Sequence, residues 1–132
     1  MSCKALQTTV CLGMLLIACN VMAQSPNCQI PRVSGAMDRN GAVTTMNVVN
    51  NGQPCGVDLY GGSRGSHPAT RGVITNPPKH GHAEFVGPHI QYTPASGYVG
   101  ADEFSGKAWA QNDNMVPKLL KLQIKVTVSA LQ

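Results

Sequence analysis

Near the end of the chain, apolar and polar residues alternate without a break. Leu120, Leu122, Ile124, Val126 and Val128 fall on one side, and Lys121, Gln123, Lys125 and Thr127 on the other. A period of two is the signature of a strand with one buried face, so residues 118–128 are expected to form one. The alternation recurs upstream: residues 103–110 group Phe104, Gly106, Ala108 and Ala110 on one face and Ser105, Lys107 and Trp109 on the other. Residues 81–86 and 89–93 read as a hairpin about Gly87-Pro88. With a two-residue turn, Phe85 opposes Ile90 and Ala83 opposes Tyr92, all four on the core face, while His82, Glu84, His89 and Gln91 face solvent.

The first half carries the same signals in shorter runs. Residues 29–37 are expected to form a strand that turns back at Asn40-Gly41, a pair tolerant of the positive φ angles of a tight hairpin. The return strand, residues 42–49, would place Met46 and Val48 inward. Asn50-Asn51-Gly52 ends it, and residues 55–60 form a short strand. Residues 72–75 form another, closed by Asn76-Pro77-Pro78, whose prolines cannot donate to a central ladder. Residues 61–66, rich in glycine and serine, read as a loop. No window places apolar residues at three- and four-residue spacing between helix caps. About eight short strands, punctuated by turns at intervals of about 8–12 residues, predict an all-β chain folded as a single immunoglobulin-like antiparallel β-sandwich.

The start of the chain adds an address. Its 132 residues suffice for one domain. A short basic opening ending in Lys4, an apolar run over residues 10–18 and Val21-Met22-Ala23 have the layout of a cleaved export signal. Residues 1–23 are therefore expected to be the signal and residues 24–132 the domain. A second route competes: Leu16-Ile17-Ala18-Cys19 has the form of a lipobox, in which residues 1–18 are removed and Cys19 is acylated. Both routes lead to the periplasm or beyond, the second with a lipid anchor. The apolar run is shorter than the roughly 20 residues of a spanning helix, so no transmembrane segment is expected. Cys3, Cys11 and Cys19 lie in the targeting segment, which leaves Cys28 and Cys55 as an even pair, expected to be a disulfide in an oxidising compartment. A redox or metal pair fits less well, since there is no C-x-x-C spacing and two cysteines make half a zinc site.

Charge excludes little. Residues 24–132 carry nine basic and six acidic side chains, scattered apart from Lys118, Lys121 and Lys125. Nucleic-acid binding requires a denser basic stripe, so no nucleic-acid partner is expected.

One set of segments points to a family. Pro77-Pro78-Lys79-His80-Gly81, Tyr92-Thr93-Pro94, the run from Gly97-Tyr98-Val99-Gly100 through Ala101-Asp102-Glu103-Phe104, and Lys125-Val126-Thr127-Val128 together resemble the bacterial immunoglobulin-like domains of the cadherin-like type, over residues 73–128. The resemblance implies a β-sandwich, often one of several tandem repeats in exported surface proteins. It implies a binding, adhesive or spacer role and no catalytic residue. The chain departs from the pattern in three places. Gly106 stands where an aromatic is usual and would leave room in the core, Trp109 lies on the outer face, and residues 112–117 lack an acidic Asp-Gly turn, which weakens a calcium site.

Several residues invite chemistry. Gly61-Gly62-Ser63-Arg64-Gly65 satisfies G-x-S-x-G, but a nucleophile elbow needs a strand-to-helix turn and no helix signal follows Ser63. His80, His82 and His89 suggest a metal. In the expected hairpin, however, His82 lies opposite Thr93 and His89 opposite Val86, several rungs apart, too far to share one ion. Asp102 is expected to cap the turn at Gly100. Trp109, with Tyr60 or Tyr98, is the interaction candidate, since exposed tryptophans anchor interfaces, unless the Asn112 loop covers it. Lys118, Lys121 and Lys125 form either a docking strip for an anionic partner or a charged guard on a terminal sheet edge. The chain is thus expected to be an exported, non-enzymatic module without cofactor that binds, adheres or serves structurally at the bacterial cell envelope, its partner a protein or glycan. The alternative is a small periplasmic enzyme or metal carrier using Ser63 or His80, His82 and His89.

Overall fold

Alternation becomes strand wherever the apolar face finds a second layer to cover it. The computed structural model describes residues 27–36 and 39–132. The export signal, with Cys19 and both processing routes, and the expected strand end at Met37 lie outside the described residues. In chain order the strands are β1 (Cys28–Gln29), β2 (Ala42–Asn50), β3 (Cys55–Asp58), β4 (Tyr60–Gly61) and β5 (His67–Pro68), then β6 (Arg71–Asn76), β7 (Gly81–Val86), β8 (His89–Pro94), β9 (Gly100–Gln111) and β10 (Pro117–Ala130). Among the described residues there is no helix, and hence none long and apolar enough to cross a membrane. Five strands form one sheet in the order β1-β2-β10-β9-β6, three form a second in the order β3-β8-β7, and β4 and β5 make a small ribbon.

The inner face of the larger sheet consists of Met46 and Val48 from β2, Phe104 and Ala108 from β9, and the even-numbered aliphatics of β10 from Leu120 to Val128. Cys55, Val57, Ile90 and Tyr92 of the smaller sheet close over them. Small residues of one layer receive large residues of the other. A Cβ at Gly106 would stand 2.7 Å from Ile90 Cδ1, and one at Gly72 would stand 2.4 Å from the Phe85 ring. Tyr92 and Phe104 stack with ring centroids 5.5 Å apart. The expected space at Gly106 is therefore absent, because Ile90 fills it. Two facing sheets around one apolar core are β-sandwich packing, and each buried aliphatic or aromatic contributes roughly 1.5–3 kcal/mol to it.

The β7–β8 hairpin has the expected register, with Phe85 opposite Ile90 and Ala83 opposite Tyr92. Two expectations are corrected. The larger sheet is mixed rather than antiparallel, because β2 pairs with β10 in parallel from Ala42↔Leu122 to Asn50↔Ala130. A parallel pair needs a long crossover, and here the rest of the domain supplies it. The first strand is only β1, two residues long, since Pro31 has no amide for a ladder and Gly35, at φ 79°, breaks extended geometry. The Asn40-Gly41 turn consequently does not close a hairpin between β1 and β2. Instead, the carbonyl of Ala36 accepts from the Lys121 amide. Gly41, at φ 74°, runs so close to β10 that a Cβ would meet the Lys121 carbonyl oxygen at 2.8 Å.

Cys28 and Cys55 form a disulfide, with Cα atoms 5.4 Å apart, that fastens β1 of the larger sheet to β3 of the smaller. Cys28, Val48 and Val128 share one row. β1 runs away from that row into the sheet, and β10 passes it on its way out to Ala130. The polypeptide therefore enters and leaves the larger sheet at one end, termed the base, and the β9–β10 turn lies at the other, the tip.

Candidate interaction surface and the polar clusters at base and tip

The outer face of the larger sheet is ordered by its register. One row in from Gln111 and Pro117 at the tip, Arg71, Trp109 and Leu119 are cross-strand partners, and the next row holds Val73, Lys107 and Lys121. Then come Ser105, Gln123 and Val43, followed by Glu103, Lys125 and Thr45. The Arg71 guanidinium lies over the Trp109 ring, 4.3 Å from its centroid. Beside that ring, His67, Pro68, Thr70, Gln111 and Pro117 complete a groove of about 350 Å³ with Trp109 itself. Trp109 is thus half-buried, with Arg71 over its ring. Lys121 and Lys125 share this face, but Lys118, opposite Ala110, falls on the other parity, so the three lysines are not one strip. The guard reading also fails. β10 lies between β2 and β9, and the edges of the sheet are β1 and β6. Lys107 stands on this face beside Trp109, as the alternation of residues 103–110 predicts, and Arg71 joins it without a signal in the sequence. Its place opposite Trp109 is set by the β6–β9 register.

At the base, Asp102 is a junction. Its carboxylate accepts from the amides of Lys79 at 3.0 Å and His80 at 2.9 Å, from the Tyr92 hydroxyl at 2.9 Å and from the Glu103 amide. The expected role at Gly100 is corrected: Asp102 caps the turn after Pro77-Pro78, because that turn presents two consecutive amides to it. Burial alone would push the Asp102 carboxyl up, but the amides of Lys79 and Glu103, the Tyr92 hydroxyl and the His80 amide outweigh it and hold the group below the ordinary carboxylate range. Tyr92 moves the other way: burial first, then the hydrogen bond to Asp102 and its charge, raise the phenol above its ordinary value. The His80 ring stacks on Tyr98 at 4.2 Å, and the Asn50 side chain donates to the carbonyls of Ala95 and Tyr98.

The tip has a lighter counterpart. The Ser63 amide donates to both oxygens of Asp113, 3.1 Å each, tying the residue 61–66 loop to the β9–β10 turn. The Ser63 hydroxyl, then its amide, hold the Asp113 carboxyl below its ordinary range, with a smaller contribution from His67. Serine, histidine and aspartate thus meet near the tip, yet Ser63 addresses the acid directly, whereas a nucleophilic serine needs an imidazole between them. The other histidines go separate ways. His82 faces Glu84 at 3.6 Å, and His89 bonds Asp58 across β3 and β8. Among the described residues no three His, Cys, Asp or Glu side chains are grouped to hold one ion. Compared with known proteins, the chain matches no family model, no curated protein and no solved structure.

Proposed function

We propose that this chain is an exported, non-enzymatic module, an immunoglobulin-like sandwich of the cadherin-like type, that binds a partner at the bacterial cell envelope through the outer face of its larger sheet. The observation that carries the reading is the shared placement of Arg71, Trp109, Lys107, Lys121 and Lys125 on one face of a rigid sheet. Tryptophan and arginine are the side chains that most often anchor interfaces. The family assignment is supported by the segments that resemble it. Pro77 to Gly81, Tyr92 and the Gly97 to Phe104 run, far apart in sequence, meet at the Asp102 carboxylate.

The test is expression with the native N-terminus in a bacterial host, followed by mass measurement of the processed end and sedimentation with isolated envelopes. The expected result is a chain beginning at Gln24, or at an acylated Cys19, that envelopes retain and that Trp109→Ala releases. An unprocessed cytoplasmic chain, or steady turnover of ester, peptide or glycosidic substrates that Ser63→Ala abolishes, would overturn the reading.

A further inference from the structure

We infer that the depression between Lys107 and Lys121 is an anion subsite, holding a carboxylate or sulfate group of an acidic polysaccharide that lies along the outer face of the larger sheet. The inference rests on the envelope-binding reading only for where such a polymer is met.

Lys107 and Lys121 are direct cross-strand partners on one face. Two like charges in that position oppose sheet formation. Among the described residues no carboxylate neutralises them: the ion pairs there are those of His82 and His89, and the Lys121 ammonium donates to a neutral acceptor, the Arg39 carbonyl, at 2.9 Å. An anion seated between the two lysines would remove the repulsion. The space exists, a shallow depression of about 210 Å³ whose rim also carries Asn40, Thr75, Ser105 and Gln123. These hydroxyl and amide groups are suited to hydroxylated sugars as well as to an oxyanion. Among the described residues the acid nearby, Glu103, is engaged by the Gln123 side chain and stands opposite Lys125.

The surroundings favour a strand over a small molecule. Small ligands are usually held in enclosed, concave pockets, whereas this depression is shallow and open, lined by Ala42, Val43 and Leu122 as well as by its polar and charged side chains. Further cations continue along the face in rows about 7 Å apart, Arg71 toward the tip and, beyond the Ser105 row, Lys125 toward the base. Single-stranded nucleic acid would need open aromatic platforms, and the one tryptophan here is covered by Arg71.

The test uses the exported chain with polygalacturonate and dextran sulfate as probes and neutral dextran, an oligothymidylate and phosphatidylglycerol vesicles as competitors, titrated at low and at physiological salt. At least one acidic polysaccharide is expected to bind with salt-sensitive affinity. Lys107→Gln should weaken it about tenfold, the loss of one charge-assisted contact, and Lys107→Glu, which would pair with Lys121, should abolish it. Lys118→Ala, on the other parity, should bind as the parent does. Because Lys107 projects outward, the variants should remain folded. Lys107→Gln is expected to melt slightly higher than the parent at low salt, and the probe should raise the melting temperature of the parent and of Lys118→Ala more than that of Lys107→Gln, leaving Lys107→Glu unchanged. Undiminished binding by Lys107→Glu, equal binding of neutral dextran, or tighter binding of the oligonucleotide or vesicles would overturn the inference. Should Lys107-dependent binding occur while envelopes fail to retain the protein, the envelope reading falls and the subsite stands. Should envelopes retain the protein while neither polysaccharide binds, the subsite falls and the envelope reading stands.

Discussion

Each end of the sandwich is tied by an aspartate, and the two ties are built on different scales. At the base, Asp102 gathers amides from the turn after β6, a hydroxyl from β8 and an amide of its own strand, in a half-buried position behind Tyr92. At the tip, Asp113 receives a single residue, Ser63, in full contact with water. The base adds the disulfide, the stacked His80 and Tyr98 rings and the Asn50 bridge. A carboxylate contributes in proportion to the number of distant segments it orders and to the water excluded from it, and an exposed pair contributes little. One end is thereby fixed, while the other has freedom to vary its loops.

The largest effect should come from opening the disulfide. Cys28→Ser with Cys55→Ser frees a loop of 27 residues and should cost about 3–4 kcal/mol on the chain-entropy account, measured by urea unfolding. Asp102→Ala should follow at about 2 kcal/mol, since it strands the Lys79 and His80 amides and the Tyr92 hydroxyl. Tyr92→Phe should cost about 1 kcal/mol. If Asp113→Ala destabilised the protein as much as Asp102→Ala, the contrast between the ends would be wrong.

Titration sharpens the comparison from both sides. Asp102 is held below its unfolded value, so its contribution is complete above the unfolded aspartate pKa of about 4 and is lost as pH falls through the lower folded value. Asp102→Asn should flatten that acid limb in melting curves, and Asp113→Asn should barely change it. Tyr92 is raised, so its contribution is complete below the unfolded tyrosine pKa of about 10 and fades as pH climbs beyond it. Tyr92→Phe should remove this alkaline limb.

Smaller effects belong to the tip. Met115 sits at φ 61°, a left-handed conformation that suits glycine, so Met115→Gly should gain about 0.5 kcal/mol by chemical denaturation. Asp113→Ala should leave the melting temperature where it is and show itself only as faster cleavage of the residue 61–66 loop in limited proteolysis.

What the sequence disclosed follows the length of each alternating run. β9, β10 and the β7–β8 hairpin were legible because a slip of one residue would turn Phe104, Ile124 or Tyr92 out of the core. Trp109 fell on the outer face by the same rule. β1 was overdrawn because Ile30 and Val33 look strand-like while Pro31 forbids the ladder. The parallel partner of β10 was invisible, since nothing local in Ala42 to Asn50 states which strand it will join. For that reason the sequence cannot decide between the two readings of the lysines: β10 is last in the chain but lies between β2 and β9 in the sheet. Asp102 was noticed but assigned to the wrong turn. Its partners are backbone amides 22 and 23 residues away, and an amide leaves no mark in the sequence.

Entry at Cys28 and exit at Ala130 through one side of the sheet decide how the domain can be mounted. An attachment made at either of these points would lie at the base, with the tip farthest from it. The twelve residues of β9 then reach about 40 Å away from the mounting, with the Ser63 loop outermost and the Trp109 row just beneath it.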